Sequence, residues 1–292
     1  MIAYIGRRFL WIIPVLFTVS IITFFLMHAV PGGPWDSEKR LPQATQDRLN
    51  AKYGLDQPIY IQYITWVGKF VQGDLGPSYR YTDRSVNDIV AAGIWTTVQL
   101  GVMAFLLSVI VGIPLGIFAA LGHNKWPDYL STSVSIVGIA TPSFVLSIML
   151  IVFFAVQLRW FPTGNWKGPD TWVLPTVALA GFPIAVIARY TRASMLEVTR
   201  KDYIRTAHSK GLSDQSVVTI LGPTLAFLVT GSFIIERIFG IPGVGQFYIT
   251  SISTRDYGLL MAMTMLYAFA VAFLNVVVDV LYAYIDPRIR YS

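Results

Sequence analysis

Cysteine is absent from all 292 residues, which excludes a disulfide framework and any thiolate-held metal. Charge is also scarce. Only 13% of the residues are charged, against about a quarter in an ordinary soluble domain. The shortage is uneven: no Asp, Glu, Lys or Arg occurs in 9–35, 89–124, 129–158, 171–188, 215–235 or 257–278. A hydrocarbon core about 30 Å thick takes roughly 20 apolar residues of helix. Each run meets or approaches that length, the shortest by borrowing flanking residues. Only helices and closed barrels satisfy their backbone in lipid, and none of these runs alternates as a barrel strand does. The sequence therefore predicts an all-α membrane protein with six transmembrane helices. The first run exceeds the roughly 7–15 apolar residues of a signal peptide, so it is expected to stay as the first span.

Catalytic chemistry is missing too. His28, His123 and His208 lie in three separate segments without metal-ligand spacing. No G-x-x-x-x-G-K-[ST] loop occurs, since the pair Gly68-Lys69 has no glycine-rich stretch before it. No G-x-S-x-G presents a serine nucleophile. The expectation is a chain with no catalytic, metal or cofactor site. One carboxylate lies clearly within a predicted span, Asp279, with Asn275 one turn earlier on the same face. Two readings stay open for it, a structural polar pair or a role in gating. A proton-coupled carrier would need further acids along its path. Pro114, Pro142, Pro175, Pro183 and Pro223 interrupt the runs. They are either hinges or the proline that membrane bundles tolerate.

Six spans put both termini on one side. If that side is the cytoplasm, its segments hold Arg7, Arg8, Lys125, Arg189, Arg192, Arg200, Lys201, Arg205, Lys210, Arg288 and Arg290. The short loops opposite hold only Arg159, Lys167, Arg237 and Arg255. The positive-inside rule then predicts cytoplasmic termini. This distribution also explains the net charge of +6 without nucleic acid as a partner. The long loop 31–95 balances acids with bases and is placed outside. Within it, Pro42 opens a predicted helix over 43–53 closed by Gly54, and 58–71 reads as a second helix. Ser85 with Asp88 makes a capping-box start for the second span. The loop is a helical cap on a single domain covering 1–292, not a separate unit.

Between the fourth and fifth runs, DYIRTAHSKGLSDQ (202–215) concentrates basic residues. Residues 199–210 can form a short helix that ends at Gly211. Tyr203, Ala207 and Lys210 share one face, and Ala207 and Gly211 permit close backbone approach. Spacing alone leaves two partners open, anionic headgroups or another protein.

Here the chain resembles the permeases of bacterial ABC importers, specifically the oligopeptide and dipeptide (and nickel) family and its B-type subunit. Glu197 with 202–212 is similar to the family's cytoplasmic coupling loop. RRFLWIIPVLFTVSIITFFLMHAVPGGP (7–34), YGLDQPIYIQYITWVGKFVQGDLGPSY (53–79), ATPSFVL (140–146), WFPTGNW (160–166), RASMLEV (192–198), FGIPGVGQ (239–246) and NVVVDVLYAYIDPRIRY (275–291) continue the resemblance along the whole chain. It implies the type I importer permease fold, in the bacterial inner membrane. The implied partners are a C-type permease subunit, two ATPase subunits that carry ATP and magnesium, and an external binding protein that delivers peptide. It also implies that 197–215 docks on an ATPase through Glu197, Asp202, Tyr203, Arg205, Thr206, Ala207, Lys210, Gly211 and Leu212, with Ala207 and Gly211 in closest contact. The same family with nickel, glutathione or another solute as cargo is the alternative, and a self-sufficient channel or secondary carrier is the other. The resemblance departs in one place. Roughly a dozen residues expected after Leu212 are missing, which predicts either a truly short loop or a discontinuity between Leu212 and Val218.

Overall fold

The first charge-free run folds as one helix, α1 (Ile2–Ala29). The computed structural model describes residues 2–35, 42–199 and 232–285. In the loop that follows, α2 (Gln43–Tyr53) and α3 (Ile59–Val71) each begin directly after a proline, as the sequence predicts. Proline fixes φ near a helical value and gives up an N–H that the first turn cannot use. Gly54 closes α2 in the left-handed region, at φ 68°. The second run becomes α4 (Val86–Leu121), and both arms of its capping box form. The Asp88 amide donates to Ser85 Oγ at 3.2 Å, and the Ser85 amide donates to Asp88 Oδ2 at 3.0 Å.

The third run is not a straight span. It divides into α5 (Trp126–Ala140) and α6 (Ser143–Leu150), which continues as a π-helix over Ile151–Gln157, and the two parts are bent by 106°. The break falls at Thr141-Pro142. Thr141 takes extended geometry (φ −89°, ψ 116°) because the ring of the next proline disfavours the helical region before it. Pro142 is therefore a true break, whereas Pro114, Pro175 and Pro183 stay inside continuous helices. The remaining elements are α7 (Pro169–Thr199), α8 (232–239), α9 (Val244–Thr254) and α10 (Tyr257–Ile285). Among the described residues, α1, α4, α7 and α10 are long and apolar enough to cross a membrane, and the bent α5–α6 pair has the length and composition of either a broken span or a re-entrant loop. The fifth predicted span, 215–235, lies outside the described residues except for its last four. So do Pro223, His208 and the predicted discontinuity after Leu212.

The bundle is centred on α4 against α7. Along α4 the buried positions include Ala104, Ser108, Gly112, Gly116 and Ala120, a small residue at every fourth place. Lipid gives apolar helices no hydrophobic reason to associate, so close backbone packing has to hold them. Gly116 shows how close: a Cβ there would stand 2.6 Å from the Ala188 carbonyl oxygen on α7. Helix α10 pairs with α1, and an open groove between them of about 1040 Å³ is also lined by Phe233 of α8 and Tyr248 of α9. Both described chain ends lie on one side of the bundle, the terminal side. The loop carrying α2 and α3 lies on the other, the loop side.

Candidate functional site

Helix α7 outruns its apolar stretch. Its charge-free part ends at Ala188, yet the helix continues to Thr199, roughly 16 Å further at about 1.5 Å per residue. This arm carries Arg189, Arg192 and Glu197 towards residues 199–212. It is tied down at its root. Arg192 Nε donates to Asp128 Oδ1 at 2.5 Å, and Nη2 donates to Oδ2 at 2.8 Å. Asp128 stands in the first turn of α5 and is buried. The Asn124 amide donates to its Oδ2 at 3.0 Å, and His123 Nδ1 lies 3.3 Å from the same oxygen. The planar guanidinium thus closes both oxygens of a carboxylate that the α4–α5 turn already holds. The turn and the root of the arm are joined through this one carboxylate.

Two further acids are buried on the loop side. Glu236 on α8 is fully enclosed and accepts the Gly245 amide at 2.7 Å, while Thr97 Oγ1 of α4 accepts the Val244 amide at 3.0 Å. Both amides belong to the first turn of α9, whose unpaired donors need partners. The glycines of FGIPGVGQ let that turn reach them. A Cβ on Gly243 would sit 2.6 Å from Thr97 Oγ1, and one on Gly245 2.8 Å from Glu236 Oε2. Asp256 is equally enclosed. It accepts the Ser78 hydroxyl and the amides of Tyr79 (3.1 Å), Arg80 (3.2 Å) and Leu259 (3.1 Å). One side chain thereby caps α10 and fixes the loop at 78–80.

The predicted residues fare unevenly. Glu197 is exposed near the end of α7. Asp202, Tyr203, Arg205, Thr206, Ala207, Lys210, Gly211 and Leu212 lie outside the described residues. Asn275 is exposed on α10 and lines the groove with Arg7 and Arg8. Asp279 follows one turn later on the same helix, and its side chain is not among those described. His28 donates from Nδ1 to the Phe24 carbonyl at 2.8 Å and stacks on that ring. His123 is half-buried and faces Asp128.

Sequence reasoning did not single out Asp128, Glu236 or Asp256. A signal was available for the first. Asp128 is the only acid between Asp88 and Asp170, and it faces a segment with a basic residue at both 189 and 192. The other two directly flank apolar runs and read as boundary charges.

Comparison with known proteins agrees with this architecture. Residues 112–291 match the family described as binding-protein-dependent transport system inner membrane component, and residues 1–100 match the N-terminal membrane component of such systems. The oligopeptide transport system permease protein OppB of Haemophilus influenzae is 39% identical over 306 positions, covering 100% of both chains. The dipeptide transport system permease protein DppB of Bacillus subtilis is 40% identical over 303 positions, covering 99% of this chain and 98% of its own. The glutathione transport system permease protein GsiC of Escherichia coli is 38% identical over 314 positions, covering 100% of both. The first alignment sets 306 positions against 292 residues, so about 14 positions hold no residue of this chain. Matched from end to end, with apolar helices packed by small residues, the chain belongs to the inner membrane components of binding-protein-dependent transport systems.

Proposed function

We propose that this chain is one of two permease subunits of an ATP-driven importer that moves oligopeptides or dipeptides through the bacterial inner membrane. The observation that carries the reading is the end-to-end similarity, at about 40% identity, to permeases named for oligopeptide and dipeptide transport. Peptide reaches the loop side from an external binding protein, and the terminal side faces the cytoplasm, in keeping with the basic residues gathered there. A C-type permease subunit completes the pathway. Two ATPase subunits supply ATP and magnesium, and the chain itself binds no cofactor.

In this reading Glu197 and the segment Asp202–Leu212 dock on an ATPase. The Arg192–Asp128 pair then carries the ATPase's movement into both α7 and the α4–α5 turn, so several helices shift together. The test is uptake. Loss of this chain from its host should abolish accumulation of a labelled tripeptide or dipeptide, and its return should restore it. If peptide uptake survives while reduced glutathione or nickel ion uptake is lost, the cargo is the other solute and the peptide reading fails.

A further inference from the structure

We propose that α3 is an interfacial helix that lies in the bilayer leaflet on the loop side, its uncovered apolar stripe against lipid acyl chains. The proposal concerns the membrane placement of a segment that the sequence reads as part of a cap outside the membrane. It does not depend on which cargo is carried.

The depth comes from one hydrogen bond. Arg8 marks the terminal-side edge of the apolar part of α1, and a 30 Å core takes about 20 residues from Phe9, ending near His28. Ser20 is then roughly 12 Å inside that edge, at about 1.5 Å per residue. Its hydroxyl lies 2.8 Å from the hydroxyl of Tyr63 on α3. The Tyr63 ring also packs on Phe24, with centroids 5.2 Å apart, and on Phe25 at 6.4 Å. A tyrosine side chain is shorter than the depth of Ser20. With the hydrogen bond and the serine side chain added, the reach about matches that depth, so the backbone of α3 at Tyr63 lies near the level of His28, at the edge of the acyl region. Interfacial helices sink their apolar face about 5–10 Å into the acyl boundary.

The faces of α3 agree with that depth. At about 100° per residue, Tyr63, Trp66 and Phe70 share one face, and it packs beside α1 and α10 around Phe24, Met27 and Met261. Tyr60, Ile64, Val67 and Val71 form a second stripe about a quarter turn away. Tyr60, Ile64 and Val71 are 63%, 65% and 78% exposed. Gln62, Thr65 and Lys69 lie opposite that second stripe. With the first face held sideways on α1, the polar stripe points to water and the exposed apolar stripe points into the membrane. Phe25 and Ile22 of α1, both about half exposed, continue the same apolar surface downward. A helix meant for water would not leave four apolar residues opposite its polar side.

The natural chain has no cysteine, so single cysteines report without background. In the assembled transporter, Ile64→Cys, Val71→Cys and Thr65→Cys would each carry a small fluorophore. The complex would be reconstituted in phosphatidylethanolamine–phosphatidylglycerol vesicles containing a fraction of doxyl-labelled phosphatidylcholine. Doxyl lipid should quench the label at 64 and 71, and aqueous iodide should quench it at 65. Iodide quenching at 64 and 71 equal to that at 65 would place the stripe in water and overturn the proposal. Protection from both quenchers would show a protein covering it, the second permease subunit, and would overturn it equally. Tyr60→Cys, on the same stripe, gives an independent reading should one variant fail to assemble.

Discussion

Arg192 binds both carboxylate oxygens of Asp128 across 64 positions of sequence, joining the first turn of α5 to the arm of α7 that extends beyond its apolar stretch. Asp128 is the buried member and Arg192 is partly exposed. Removing the arginine strands a buried carboxylate; removing the carboxylate leaves a cation that can turn towards water.

That asymmetry gives the first prediction. Arg192→Ala should lower the stability of the assembled transporter by about 3 kcal/mol, the lower end for a broken buried pair because Arg192 is partly solvated. Asp128→Asn should cost less. The double variant Asp128→Asn with Arg192→Ala should recover part of the loss, because no charge is then left buried. Thermal unfolding of the purified complex measures all three, and a double variant no more stable than Arg192→Ala would end the argument. Uptake should fall in every case. Arg192→Lys should restore charge but not the two-pronged grip, and so restore uptake only in part.

Much of this architecture was legible in the sequence because membranes impose coarse rules. The charge-free runs located every long helix among the described residues, and Pro42, Pro58 and Ser85-Asp88 located the starts of α2, α3 and α4. The break at Pro142 was visible only as one proline among five. Nothing local distinguishes it from Pro114, whose neighbours keep the helix continuous. Two of the buried acids were illegible for a different reason. Asp256 and Glu236 take their roles from amides brought close by folding, Tyr79 and Arg80 in one case and Gly245 in the other. The glycines of FGIPGVGQ were noted for resemblance, but their physical reason, an approach to Thr97 and Glu236, needs three elements in place at once.

A second prediction tests the coupling segment. A close-packed position opposite an ATPase cannot take a charge without leaving it buried and unpaired, at a cost of about 2 kcal/mol or more. Ala207→Asp should leave the chain inserted, abolish peptide uptake and reduce the amount of ATPase that copurifies. Normal uptake by this variant would favour headgroup contact for the same helix.

Orientation supplies a third. With the terminal side in the cytoplasm, a cysteine at Asp83 should react with a membrane-impermeant maleimide in intact cells, and one at Ser292 should react only after lysis. The absence of natural cysteines makes any signal attributable to the introduced one. Labelling at Ser292 alone in intact cells would invert the topology.

A fourth prediction isolates the packing of α4 on α7 by making the same change twice in one helix. Gly101 and Gly116 both lie inside α4. An alanine gains helix propensity over glycine, by about 0.8–1 kcal/mol in a helix interior, and this gain is common to both sites. The surroundings differ. A Cβ at Gly101 meets nothing within 4 Å, whereas one at Gly116 would come within 2.5 Å of Thr191 Cβ and 2.6 Å of the Ala188 carbonyl. Neither neighbour can swing aside, because one is a branched Cβ and the other is backbone in the middle of α7. Relief requires the two helices to separate, and overpacking of that kind costs about 1–3 kcal/mol. Gly101→Ala should therefore leave the Tm of the solubilised complex unchanged or raised, and Gly116→Ala should lower it. If α7 transmits the ATPase's movement as proposed, Gly116→Ala should also reduce uptake at temperatures where the complex is still folded. Equal Tm values for the two variants would mean that α4 and α7 are not held by close backbone approach.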